Sequence, residues 1–168
     1  MTSKIKSTVI TAVEDTVYDG PNLKIFLAGG ISNCPDWQSF IIDSLKYEDV
    51  VLFNPRRPNF PMDEPGAAAE QIEWEYNKLK EADMIIFWFS KATLNPIVLY
   101  ELGRWGNSSD KPIIVGIEPE YERLVDVVKQ TDLSRPDVPI KFNLLDLSNE
   151  IKKYLRETKL SQEKDRTV

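Results

Sequence analysis

The chain has 168 residues with 42% hydrophobic, 29% charged and 10% aromatic side chains, the size and balance of one globular domain with its own core. Twenty-one basic against 27 acidic residues give a net charge of −6, which excludes a broad basic face for a nucleic-acid polymer. The single cysteine, Cys34, excludes an internal disulfide. The absence of histidine removes imidazole triads, His metal sites and the usual proton shuttle near neutral pH.

Acid-base chemistry therefore falls to carboxylates, Lys or Tyr, and neither a metal nor another cofactor is expected. The opening MTSKIKSTVITAV is too polar and short for a signal segment. No run of about 18 apolar residues follows, so a cytoplasmic protein without a membrane partner is expected.

Strand-length apolar runs alternate with longer amphipathic stretches, the pattern of β-α units around a mostly parallel sheet. TVITAV at 8–13 suggests an edge strand. KIFLA at 24–28 is a strand stopped by Gly29-Gly30. A helix over about 36–46 follows, with Trp37, Phe40, Ile41 and Leu45 at helical spacing. VVLF at 50–53 is a second buried strand, closed by Asn54-Pro55 and an irregular loop carrying Arg56 and Arg57.

A helix over about 67–82 is expected to turn Ile72, Tyr76 and Leu79 inward and Glu73, Lys78 and Glu81 outward. MIIFWF at 84–89 reads as a central strand buried on both faces. Asn95-Pro96 starts the next helix, Asn as N-cap and Pro at the first position, and Gly106-Asn107 ends it. PIIVGI at 112–117 is a further strand, followed by a helix over 121–130, a short strand over 140–142 and a helix over 147–158. Residues 1–158 thus form one domain, and 159–168 a polar, frayed tail.

Ligands of open parallel sheets bind beyond the carboxyl ends of the strands, which ranks three loops, at 29–34, 54–65 and 90–96. Gly29, Gly30 and Ser32 let a ligand approach backbone amides and a hydroxyl near a helix start, a setting for an anion or a sugar. Two glycines making a tight turn explain the same residues. Glu101, within LYELG, projects from a helix expected to be mostly buried. The competing reading is a Glu favoured by the helix dipole.

Glu75 shares a helical stripe with Leu79 and Ala82, unusual for a solvated Glu, although an exposed Glu on a charged helix is the plain alternative. Two carboxylates at one sheet edge are the minimum machinery for cleaving a glycosidic bond. Arg56 and Arg57 suit a phosphate clamp, or surface pairing with Asp63 and Glu64. Of the core tryptophans, Trp37 is the best placed to stack on a base.

From Lys24 to about Gly116 the chain resembles the nucleoside 2-deoxyribosyltransferase family, especially its deoxyribosyltransferase-like branch. The likeness rests on KIFLAGGIS with a downstream PDWQ, FNPRR, QIEWEYNKLKEADMIIFWF, NPIVLYELGRWG and KPIIVGIEPEY. The resemblance implies a flavodoxin-like open sheet of about five parallel strands with helices on both faces, and a homo-oligomer.

It also implies a double displacement at C1′ of a deoxynucleoside, with Glu101 as nucleophile and Glu75 assisting the base. Asn95 stands where the better-studied transferases carry Asp, and Phe26 where they more usually carry Tyr. Substrate contacts are expected from Phe26, Gly29, Gly30, Ser32, Trp37, Asn54, Arg56, Arg57 and Asn95. The Arg pair adds an alternative, a 2′-deoxynucleoside 5′-monophosphate N-glycosidase. A nucleotide-sensing module with weak turnover, or cleavage of a larger N-glycoside such as NAD, are further alternatives.

Overall fold

A computed structural model describes residues 4–108 and 110–165. Six strands, β1 (Thr8–Thr11), β2 (Leu23–Gly29), β3 (Val50–Asn54), β4 (Met84–Phe89), β5 (Ile113–Ile117) and β6 (Ile140–Lys141), form one sheet in the order β1-β3-β2-β4-β5-β6. Every pairing is parallel. With β1 set aside as the edge strand, the order of the remaining five is that of a flavodoxin-like doubly wound sheet. Among the described residues no helix is long and apolar enough to cross a membrane.

The strands alternate side chains between two apolar layers, as the pleat requires. Ile85, Phe87 and Phe89 of β4 join Phe26, Phe53 and Val115 under α2 (Ala67–Glu81), α3 (Pro96–Gly106) and α4 (Leu124–Ser134). Met84, Ile86 and Trp88 join Ile25, Leu27 and Leu52 under α1 (Trp37–Ser44) and α5 (Leu144–Asp165). All six residues of β4 are buried, as its unbroken apolar run predicts.

Three helices differ from the sequence reading. In α2, Ile72 and Tyr76 are 66% and 43% exposed, while Gln71, Trp74 and Lys78 are buried. The largest apolar side chain sets this rotation. Trp74 packs onto the rings of Phe26 and Phe53, at centroid distances of 6.3 and 6.5 Å. Lys78 holds its ammonium over the Phe53 ring, 4.8 Å from the centroid, and pairs it with Glu81 at 2.7 Å.

In α3 the burial is partial rather than general, because the helix packs by one stripe through Val98 and leaves Ile97 and Tyr100 exposed. The tail expected to fray continues α5 as helix to Asp165, although nothing beyond Leu155 is buried. The KLSQEKD stretch has few strong helix breakers, so an existing helix propagates through it. Smaller differences are the start of α4 at Leu124, after a turn in which Tyr121 donates to the Leu94 carbonyl at 2.8 Å, and the shorter β1 and β6.

Two glycines give opposite expectations for one measurement. A Cβ at Gly116 would stand 2.5 Å from Trp88 and 2.8 Å from Leu147, whereas one at Gly103 meets nothing within 4 Å. Gly116→Ala should therefore lower the urea midpoint by an amount equivalent to ~1–3 kcal/mol. Gly103→Ala should raise it by up to ~1 kcal/mol, through helix propensity alone.

Candidate active site

The site lies where the strand order reverses. The chain leaves β2 to build β3 on one side and crosses to β4 on the other, so the loops after β2 and β4 diverge and leave a crevice. A cavity of about 240 Å³ fills it. Its lining comes from Phe26 and 28–32, from Pro55, from Glu75 on α2, and from Thr93, Asn95, Pro96, Ile97, Val98 and Glu101 at the start of α3. Phe26, Gly29, Gly30, Ser32, Asn95, Glu75 and Glu101 are thereby brought together.

The glycine pair is required by close packing. A Cβ at Gly29 would stand 2.4 Å from the Trp37 ring, and one at Gly30 would stand 2.1 Å from Asn95 Oδ1 and 2.3 Å from Cys34 Sγ. The tight-turn reading of these residues and the ligand-approach reading both use the same bare backbone.

The other predicted contacts are placed elsewhere. Trp37 is 2% exposed and donates its Nε1 to the Gly30 carbonyl at 3.2 Å, so it supports the loop from beneath and offers no face to a base. Asn54 is buried and accepts the Arg56 amide at 3.0 Å. Arg56 and Arg57 line a separate depression beside β1 with Glu14 and Asp36.

Arg56 gives its Nε to Gln38 at 2.9 Å and its Nη2 to the carbonyls of Gly30, Cys34 and Pro35 at 3.3, 3.3 and 3.1 Å. Asp36 lies 3.3 Å away. Arg57 pairs with Glu70 at 3.7 Å and stacks on Phe60. The structure lends the phosphate-clamp expectation no support, because Arg56 Nε and Nη2 brace the β2 loop and both arginines line a depression apart from the carboxyl cavity. The pairing partners are Asp36 and Glu70, not Asp63 and Glu64.

Asn95 adopts φ 51° and makes no side-chain cap. Its Nδ2 donates to the Ser90 and Thr93 carbonyls at 2.9 and 2.8 Å, which spends both amide protons inside the loop. Pro96 still opens the helix as expected. Sequence reasoning passed over Gln38 and Gln71, the first holding Arg56 and the second holding Glu75. Their burial at 0% and 9% shows only in the fold.

The electrostatics centre on the two carboxyls. Burial pushes Glu101 up to about 8, with the Glu75 charge adding to the rise. Burial also raises Glu75, while the Gln71 amide, donating Nε2 to Oε1 at 2.7 Å, favours its ionised form. Among the described residues no cation figures in the influences on either group. Near neutral pH Glu101 therefore keeps its proton, and because the two carboxyls interact they titrate as a coupled pair. Among the described residues no cluster of His, Cys, Asp and Glu has the makings of a metal site.

Residues 22–121 match the model of the family described as nucleoside 2-deoxyribosyltransferase like, more than half the chain. The chain belongs to that family. A crystal structure of a conserved protein from Enterococcus faecalis V583 superposes with a TM-score of 0.60 at 13% identity. It covers 79% of this chain and 99% of that one, and at this identity it speaks for the fold alone. No curated protein matches the chain.

The raised carboxyl has a consequence for stability. Folded Glu101 binds its proton more tightly than an unfolded Glu, whose ordinary value is 4.5. Its contribution to stability is complete below that value and is lost as pH climbs towards about 8. Melting temperature should thus fall between about pH 5 and pH 8 more steeply in the wild type than in Glu101→Gln. At the alkaline end the variant should be the more stable by on the order of 1–3 kcal/mol. Parallel melting curves across that range would refute the buried-carboxyl account.

Proposed function

We propose that the protein cleaves the N-glycosidic bond of a 2′-deoxynucleoside and transfers the sugar through a covalent glycosyl-Glu101 intermediate. The observation that carries this reading is the convergence of Glu75 and Glu101 on one cavity, where burial raises both carboxyls. Burial rests the proton on Glu101, and the reactive form is the other tautomer, in which the proton has passed to Glu75 and Glu101 is ionised. Glu101 attacks C1′, the bond from C1′ to the base nitrogen breaks, and the electron pair leaves with the base, which takes the Glu75 proton.

The second half reverses these moves. An incoming base, or water, attacks C1′ while Glu75 removes its proton and the Glu101 carboxylate departs. This restores the starting protonation state. Low dielectric in the cavity strengthens each charge interaction during the step. Phe26 at the cavity floor is apolar and buried, so Glu101 is tuned by dehydration and by Glu75 instead of by an aromatic hydroxyl. With Arg56 committed to loop carbonyls, the structural support for a 5′-phosphate on the substrate falls away and the free nucleoside is favoured.

Incubation with deoxyinosine and a second free base should yield exchanged nucleoside, whereas water as acceptor yields free base and deoxyribose. Glu101→Ala should lower turnover by at least ~10³-fold, and Glu75→Gln by ~10²–10⁴-fold. The kcat/KM profile should be bell-shaped, with an alkaline limb near 8 where the shared proton is lost. Release of no base from any nucleoside by the intact protein would overturn the reading.

A further inference from the structure

Gln71 is buried on α2, one helical turn before Glu75, and is 9% exposed. Its Nε2 donates to two acceptors at once, the Pro55 carbonyl at 2.8 Å and Glu75 Oε1 at 2.7 Å. Reversing the amide would face its oxygen to both acceptors, so chemistry fixes its orientation. The cost is on the other side of the amide, where Oε1 is buried with no hydrogen-bond partner. An orphaned buried acceptor costs about 1–3 kcal/mol. A side chain kept for packing alone would avoid that cost by being apolar.

We propose that Gln71 is a positioning residue that assigns the proton of the carboxyl pair, holding Glu75 Oε1 as a bare acceptor and stabilising the carboxylate Glu75 becomes when its proton leaves with the base. This rests on the reaction proposed above. Because Oε1 is occupied by an N–H donor, any proton Glu75 carries sits on Oε2. As that proton leaves, the bond from Gln71 becomes charge-assisted and strengthens, so its effect is felt in the transition state more than in substrate binding. The groups acting on Glu75 are Gln71 on its own helix and Glu101 facing it from α3, while Pro55 from the β3 loop anchors the Gln71 amide. The same amide therefore ties the loop after β3 to the acid on α2.

Two near-isosteric variants test this, Gln71→Met, which removes the donor, and Gln71→Glu, which replaces it with an acceptor. Glutamate side-chain ¹³C titration of the substrate-free proteins reads the proton directly, and thermal melts confirm folding. Both variants should raise the Glu75 titration midpoint, Glu more than Met. In base-release assays kcat should fall roughly 10- to 100-fold, less than the ~10²–10⁴-fold worth of the acid itself, with KM little changed and the acid limb of the profile moved upward. An unmoved Glu75 midpoint in folded variants overturns the proposal, as does a moved midpoint with unchanged kcat. Wild-type protein that releases no base defeats the reaction instead, and the titration still decides whether Gln71 assigns the proton.

Discussion

Two carboxyl groups drawn out of water into one cavity, with no cation among the described residues to offset them, are the constraint on which the site depends. Each ionised group opposes ionisation of the other, and dehydration opposes both, so both carboxyls hold their protons to higher pH than they would in water. That state is expensive to hold and chemically useful. In the proposed reaction it supplies an acid and a nucleophile from residue types that in water would both be ionised. Without histidine in the chain, this is the available route to proton transfer near neutrality.

The surrounding loops hold that state in place. Arg56 gathers three carbonyls of the loop after β2 and a side chain of α1, while Asn95 closes the loop after β4 onto itself and packs against Gly30. Both cavity walls are thus pinned by polar side chains whose hydrogen-bonding capacity is directed into the protein. A wall made from satisfied backbone leaves the carboxyls as the reactive groups facing the space between. It also accounts for Gly30, where any side chain would force Asn95 or Cys34 out of position.

Much of this was legible in the sequence. The alternation of apolar runs with helical stretches gives the parallel sheet, the unbroken MIIFWF run gives its buried centre, and the switch-point rule leads to the right loops. Glu75 and Glu101 stood out because each carboxylate falls on a helix beside apolar neighbours. What stayed hidden depends on rotation and reach. The period of α2 allows either Ile72 and Tyr76 or Gln71 and Trp74 to face inward, and the packing of Trp74 on Phe26 and Phe53 decides between them. Arg56 could not be told from a ligand clamp, since the same fork serves a phosphate or three carbonyls.

The rotation of α2 links packing to chemistry. Had the helix turned Ile72 and Tyr76 inward, Gln71 would have faced solvent and Glu75 would have lost its amide partner. Trp74 therefore does more than fill the core, because by packing on two rings of the sheet it fixes the azimuth of the helix. One residue further along, Glu75 is carried to the cavity edge, and one turn earlier Gln71 is carried beneath it. The apolar layer under α2 thus sets where the acid points, and α3, held by the narrower stripe through Val98, presents Glu101 to the same space.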